Sequence, residues 1–272
     1  MLTRTITGFL FVVIILASTY YGPLSSAFLF LIIILLGIDE FYTLVKESKH
    51  IQPLKYWGGI SACILTGILI AAANQTINTK WIFIPVSMLF FTFIIELYRK
   101  KEHPFINISY TLLGIVYVVL PFAMLYHLGY YNNRTFTSDF SYQLIIGFFI
   151  ILWTNDTGAY LAGKFLGKHK LFERISPKKT WEGSIGGGIF SIGFSVLIAQ
   201  YFTNVSLIDW IMVGIIMVTF GGIGDLVESM LKRSLNIKDS GKLLPGHGGI
   251  LDRFDGLLIS APFVYAYLQL IQ

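Results

Sequence analysis

Charge is scarce in this sequence. Asp, Glu, Lys and Arg make up 13% of its 272 residues, against 55% hydrophobic and 16% aromatic. Runs almost free of charge recur along nearly the whole chain, which a soluble domain rarely shows. Two-residue alternation is missing from those runs, which excludes a transmembrane β-barrel. A single cysteine, Cys63, excludes an internal disulfide framework; it falls in an apolar run and reads as a packed small residue. Low-complexity tracts and obvious repeats are absent. No small-residue cleavage site follows the first apolar run, where Tyr20-Tyr21-Gly22-Pro23 reads as a turn, so that run is kept as a span. The patterns GxxxxGK[ST], HExxH and GxSxG are also missing. The chemistry therefore proceeds without a P-loop, a zinc-protease helix or a serine nucleophile. His50, His103, His127 and His169 are scattered and read as structural.

What remains is an all-α, polytopic integral membrane protein. Nine apolar intervals of helical length are expected, near 5–21, 24–38, 57–73, 81–98, 107–127, 142–160, 183–203, 208–225 and 256–271. A cytoplasmic N-terminus puts 18 of the 20 Lys and Arg residues in inner loops, leaving only Lys80 and Arg134 outside. This partition also explains the net charge of +5 without nucleic acid as a partner. Residues 1–140 read as packing helices around a lipid cavity, and 141–272 as the catalytic region with its cytoplasmic loops. The first five helices carry few polar groups, Glu96 near a helix end being typical, and read as packing and substrate shape.

The scarce charge is concentrated late in the chain. Gly224 to Gly256 holds five of fifteen carboxylates, five of twenty Lys and Arg, and a Pro-Gly-His-Gly-Gly turn. Asp225, Glu228, Ser229 and Lys232 follow the spacing i, i+3, i+4, i+7 and share one helix face. An acid at that depth costs about 2.5–3.5 kcal/mol on insertion scales, which marks it as functional unless it is a solvated helix end with ion pairs. The preceding Gly221-Gly222-Ile223-Gly224 would admit a close neighbour. Asp252 and Asp255 flank Arg253 at i, i+3. Acids at a helix start are also favoured by the dipole alone. A hard divalent cation such as Mg²⁺ is usually held by one or two carboxylates and the substrate's phosphates, which Asp225 and Asp252 would suit. Gly248 and Gly249 expose N–H groups that can cradle phosphate, and His247 could hold phosphate, protonate a leaving group or only shape the turn. Ser176, Lys178 and Lys179, in Ser176-Pro177-Lys178-Lys179-Thr180-Trp181-Glu182-Gly183, offer a phosphate contact, or only the positive charge that anionic lipid attracts. Asp156, in Asn155-Asp156-Thr157-Gly158, needs a lysine or a metal from elsewhere. A reaction whose nucleophile is already an anion needs no Ser-His pair, so attack of one phosphate on another fits.

The run SMLKRSLNIKDSGKLLPGHGGILDRFD, Ser229 to Asp255, resembles the signature of the phosphatidate cytidylyltransferase (CDP-diacylglycerol synthase) family. It joins S-x-x-K-R, a K-D pair, the P-G-H-G-G turn and D-R-x-D. The stretches at 176–183 and 155–160 also resemble family motifs. Gly256 departs from the serine often found there, and a small effect is expected. The resemblance implies a Mg²⁺-dependent reaction of CTP with phosphatidate at the bilayer, giving CDP-diacylglycerol and pyrophosphate on the cytoplasmic face of the cell membrane. It implies Asp225 and Asp252 as metal ligands, with Asp255, Glu228 and Asp156 as further candidates. Ser229, Lys232, Lys178, Lys179, Ser176, Arg253 and Lys238 would contact phosphate, with His247, Gly248 and Gly249 shaping the site. A second cation and a homodimer stay open. Two other readings stand beside this one. A CTP-dependent lipid-alcohol kinase would transfer the γ-phosphate. A transporter would spread its acids through the bilayer midplane, commonly in two similar halves.

Overall fold

The computed structural model describes residues 2–132, 134–137, 139–237, 240–241 and 248–272. Helices dominate, in the order α1 (Leu2–Tyr20), α2 (Pro23–Val45), α3 (Lys55–Ala73), α4 (Phe83–Arg99), α5 (Pro104–Gly114), α6 (Leu120–Leu128), α7 (Gln143–Leu166), α8 (Trp181–Tyr201), α9 (Leu207–Ser234) and α10 (Leu251–Leu270). A 3₁₀ turn, Thr79–Ile82, leads into α4, and a π-helical turn, Ile115–Val119, joins α5 to α6. Pro121 accounts for the place of the π turn: it lacks an N–H, and its ring crowds the carbonyl four residues back.

Among the described residues, seven helical segments are long and apolar enough to cross a membrane: 23–45, 55–73, 79–99, 104–128, 143–166, 181–201 and 207–234. The chain is an integral membrane protein. The first expected interval supplies a shorter apolar helix, Ile6–Tyr20. The last, α10, opens with Asp252, Arg253 and Asp255 and carries Pro262 inside it. Helix α4 shows the lipid environment most clearly. It buries Pro85, Thr92 and Glu96 and exposes Phe83, Phe90, Phe91 and Leu97. That inversion of the soluble pattern is stable only where the outside is hydrocarbon.

Several helices run further than expected. α2 passes the polar Asp39 and continues to Val45, because Phe41, Tyr42, Leu44 and Val45 are still buried. α9 passes Asp225 to Ser234 through strong helix formers, supported by the Glu228–Lys232 ion pair at i, i+4. It stops two residues before Asn236, which takes the left-handed conformation with φ 57°. Cys63, expected to be packed, is exposed on α3, beside a groove lined by Leu35, Asp39, Lys55 and Ile60. It lies on the outward side of a helix whose buried face is made by Gly58, Ser61, Ala62 and Leu65.

The chain divides into two compact units, Met1–His127 with Ser234–Arg253, and Leu128–Arg233 with Phe254–Gln272. In the first, a buried polar network ties α4, α5 and the 51–54 turn together. Glu96 accepts from Arg99 at 2.6 Å and from the Asn107 amide at 2.7 Å. Asn107 Oδ1 takes the Gln52 N–H at 2.7 Å, and Thr111 Oγ1 takes the Leu54 N–H at 2.9 Å. The Tyr42 hydroxyl donates to the Thr111 carbonyl at 2.7 Å. Each side chain named in this network has a partner, which is what keeps such a network from costing stability.

In the second unit, α7 and α8 pack through small residues. A methyl group at Gly186 would collide with Ala162, and one at Gly158 with Phe190. Two antiparallel hairpins, which an all-α expectation did not include, complete the unit. β1 (Tyr131–Asn132) pairs with β2 (Thr135–Phe136), and β3 (Lys170–Phe172) with β4 (Ser176–Thr180). Asp209 near the start of α9 anchors the first hairpin, accepting from Ser206 at 2.6 Å and Tyr267 at 2.9 Å and pairing with Arg134 at 3.4 Å. Burial, with the Asp209 carboxylate adding to it, pushes the Tyr131 hydroxyl up to about 12.

Candidate active site

The stretch expected to be an irregular loop, 170–180, is a hairpin, and its regularity sorts the two lysines. In β4 successive side chains point to opposite faces. Lys178 is exposed, whereas Lys179 is half-buried and pairs with Asp225 at 2.5 Å. The Lys179 ammonium also lies 3.5 Å from the Gly222 carbonyl. Ser176, at the other end of β4, is half-buried and sits in register with Phe172. The hairpin is fastened where α8 begins. Thr180 caps α8 by accepting the Gly183 N–H at 3.2 Å. Glu182 accepts the Lys168 N–H at 3.0 Å and pairs with His169 at 2.6 Å. His169 thereby ties the hairpin to the first turn of α8.

On α9 the spacing puts the expected residues on one face. Ser229 donates to Asp225 Oδ1 at 3.3 Å, and buried Glu228 pairs with Lys232. Gly224 explains how α10 comes so near. A methyl group there would run into the Asp255 carbonyl, so only glycine fits at this crossing. Gly256 of α10 likewise lies against Gly221 of α9. Asp255, half-buried, feels the charges of Asp225, Asp156 and Glu228, so four carboxylates from α7, α9 and α10 share one region of this unit. Asp156 is exposed, and its charge reaches Asp255.

Lys179 pairs with Asp225 and Lys232 with Glu228 in this cluster. Carboxylates gathered in one region repel one another, and a cation relieves that cost. Among the described residues, no three His, Cys, Asp or Glu side chains stand close enough to hold a metal ion unaided. The donor set nonetheless fits Mg²⁺, whose ligands are oxygens and which takes one or two carboxylates and completes its shell with water and substrate phosphate.

Asp252, Arg253, Gly248 and Gly249 belong to the other unit. Asp252 Oδ2 accepts the N–H groups of Ser240 at 3.1 Å and Gly249 at 2.9 Å. Gly248 has φ +82°, and a side chain there would also strike the Asp252 carboxylate. Arg253 is exposed. Lys238 and His247 lie outside the described residues.

One residue escaped the sequence reading. Glu40 on α2 is 9% exposed and accepts from Ser240 Oγ at 2.6 Å, the Ile250 N–H at 2.8 Å and the Leu251 N–H at 3.0 Å. An acid inside an apolar helical run was the available signal, the same one that singled out Asp225.

A membrane-embedded helical array with a carboxylate–lysine cluster at one helix crossing is a setting for phosphoryl or nucleotidyl chemistry. Residues 2–271 match the model of the cytidylyltransferase family, and the chain belongs to that family, whose members are nucleotidyltransferases. The phosphatidate cytidylyltransferase of Staphylococcus aureus (strain COL) is 34% identical over 270 residues, covering 97% of each chain. Those of Staphylococcus saprophyticus and Staphylococcus epidermidis are each 33% identical over the same length and coverage.

Proposed function

We propose that this protein is a phosphatidate cytidylyltransferase, joining CTP and phosphatidate into CDP-diacylglycerol with release of pyrophosphate. The observation that carries this reading is the cluster of Asp225, Asp255, Asp156 and Glu228 with Lys179 and Lys232, inside a chain that matches the family along its length. A phosphate oxygen of the lipid forms a bond to the α-phosphorus of CTP, and the bond from that phosphorus to the bridging oxygen of the β-phosphate breaks. The nucleophile is already anionic, so no side chain has to remove a proton, and positioning with charge neutralisation supplies the catalysis.

Asp225 and Asp252 are the proposed Mg²⁺ ligands, with Asp255, Glu228 and Asp156 as further candidates and a second cation as an open part of the proposal. When bound, Mg²⁺ neutralises triphosphate charge and stabilises the departing pyrophosphate. Lys179, Lys232 and Ser229 bind phosphate oxygens. Lys178, Ser176, Arg253 and Lys238 are proposed as further phosphate contacts, and His247 with Gly248 and Gly249 as residues that shape the site. Nine spans with a cytoplasmic N-terminus put these groups on the cytoplasmic face of the cell membrane, supported by the placement of Lys and Arg. In this arrangement residues 1–140 surround the lipid and 141–272 carry the chemistry.

The test uses protein purified in detergent with phosphatidate, Mg²⁺ and CTP labelled in the cytosine ring. Label in the organic phase together with pyrophosphate release is expected. Label confined to water with phosphate transfer to a lipid alcohol would replace this reading with the kinase.

A further inference from the structure

A second carboxylate site belongs to the unit formed by residues 1–127 and 234–253. Glu40 stands among buried Phe41, Tyr42 and Ile38 on α2. A carboxylate in such surroundings is tolerated only with its oxygens hydrogen-bonded. Glu40 spends them on a short stretch of backbone. Oε1 takes Ser240 Oγ and the Leu251 N–H, and Oε2 takes the Ile250 N–H. Leu251 opens α10, so the acid caps a helix N-terminus, where unpaired N–H groups and the dipole favour negative charge. The fit is close: a methyl group at Gly241 or Gly249 would meet the Glu40 carboxyl.

The same backbone serves Asp252. Ser240 gives its hydroxyl to Glu40 and its N–H to Asp252, while Gly249 lies against Glu40 and gives its N–H to Asp252. Glu40 therefore holds the donors that in turn hold Asp252. We propose that Glu40 is a positioning residue for the nucleotidyl transfer. It locks the backbone at Ser240 and Gly249–Leu251, so that the Asp252 carboxylate is set before substrate and cation arrive. Preset geometry of this kind saves reorganisation during reaction. The inference rests on the role proposed above for Asp252.

Hydrogen exchange of the purified, metal-free protein, read by mass spectrometry, is the direct test, with turnover measured alongside. In Glu40→Gln, exchange at Gly249–Leu251 should rise by about tenfold or more, since one lost charge-assisted hydrogen bond is worth that much. Peptides from α7–α9 should keep their protection. The kcat should fall by about tenfold with KM for CTP nearly unchanged, the pattern of a group acting on the transition state. Ser240→Ala, which keeps the carboxylate, should show the same changes at smaller size. Unchanged local exchange in Glu40→Gln would overturn the proposal, as would a released segment with full kcat. A loss of protection spread over every helix would also overturn it, by making Glu40 a general stability residue. Full turnover in Asp252→Asn would instead remove the reading of Asp252, while the exchange result still decides whether Glu40 holds the backbone.

Discussion

Glu40 in one unit and the acid cluster in the other are held in opposite ways. Glu40 is ringed by donors, two backbone N–H groups and a hydroxyl. Asp225, Asp255, Asp156 and Glu228 face one another with only two ammonium groups among these six side chains. Glu40, with both oxygens engaged by donors, is a structural fastener, and binding a cation to it would break those hydrogen bonds. A group of carboxylates in mutual repulsion is the reverse case, and gains from whatever positive charge arrives. Acid content alone therefore does not locate a reaction centre; the partners of each acid do.

The contrast can be broken most directly at its charged end. Asp225→Asn or Asp252→Asn should lower turnover by about a thousandfold or more, the scale of losing a principal electrostatic group, while far-ultraviolet dichroism and membrane insertion stay normal. Removing divalent cations with a chelator should do the same and be reversed by Mg²⁺. Near-normal activity of either variant at excess Mg²⁺ would take that residue out of the metal role. Next in size is the pair of lysines on β4. Lys179→Ala, which strips Asp225 of its partner, should reduce kcat/KM by about tenfold to a hundredfold. Lys178→Ala, on the exposed face, should raise the apparent KM for CTP by only about threefold, and equal effects would mean that the strand's two faces do not differ in function. Smaller still in its effect on chemistry, Glu96→Gln should cost about 1–3 kcal/mol of stability through its network with Arg99 and Asn107, seen as a lower unfolding temperature with kcat per folded molecule retained. Gly256→Ser should change least. Its added atoms meet the end of the flexible Leu152 side chain at 3.0 Å, and activity should stay within about twofold.

Much of this was legible in the residues themselves. Hydropathy marked the helices, because each long apolar run has to satisfy its backbone internally in lipid. The i, i+3, i+4, i+7 spacing put Asp225, Glu228, Ser229 and Lys232 on one face, since they lie on one continuous helix. Helix ends were less legible, because α2 and α9 continue past a first acid whose cost is offset by partners distant in sequence. The 170–180 hairpin hid behind Pro177 and its charges, and with it the different fates of Lys178 and Lys179. Glu40 was hardest to read. Its partners lie about two hundred positions away, and no local pattern connects them.

The length of α9 has one more consequence. Twenty-eight residues at about 1.5 Å each give a rod of about 42 Å, longer than the roughly 30 Å hydrocarbon layer. Asp225 falls about 27 Å from its start and Lys232 about 37 Å, so a helix entering at one edge of that layer would carry the two to about the level of the headgroups at the other. A phospholipid drifting sideways in its leaflet would already carry its phosphate at that depth, and the water-soluble reactant would have only to descend to the same level. Neither would have to leave its own solvent, and the product's tails could stay in the bilayer throughout.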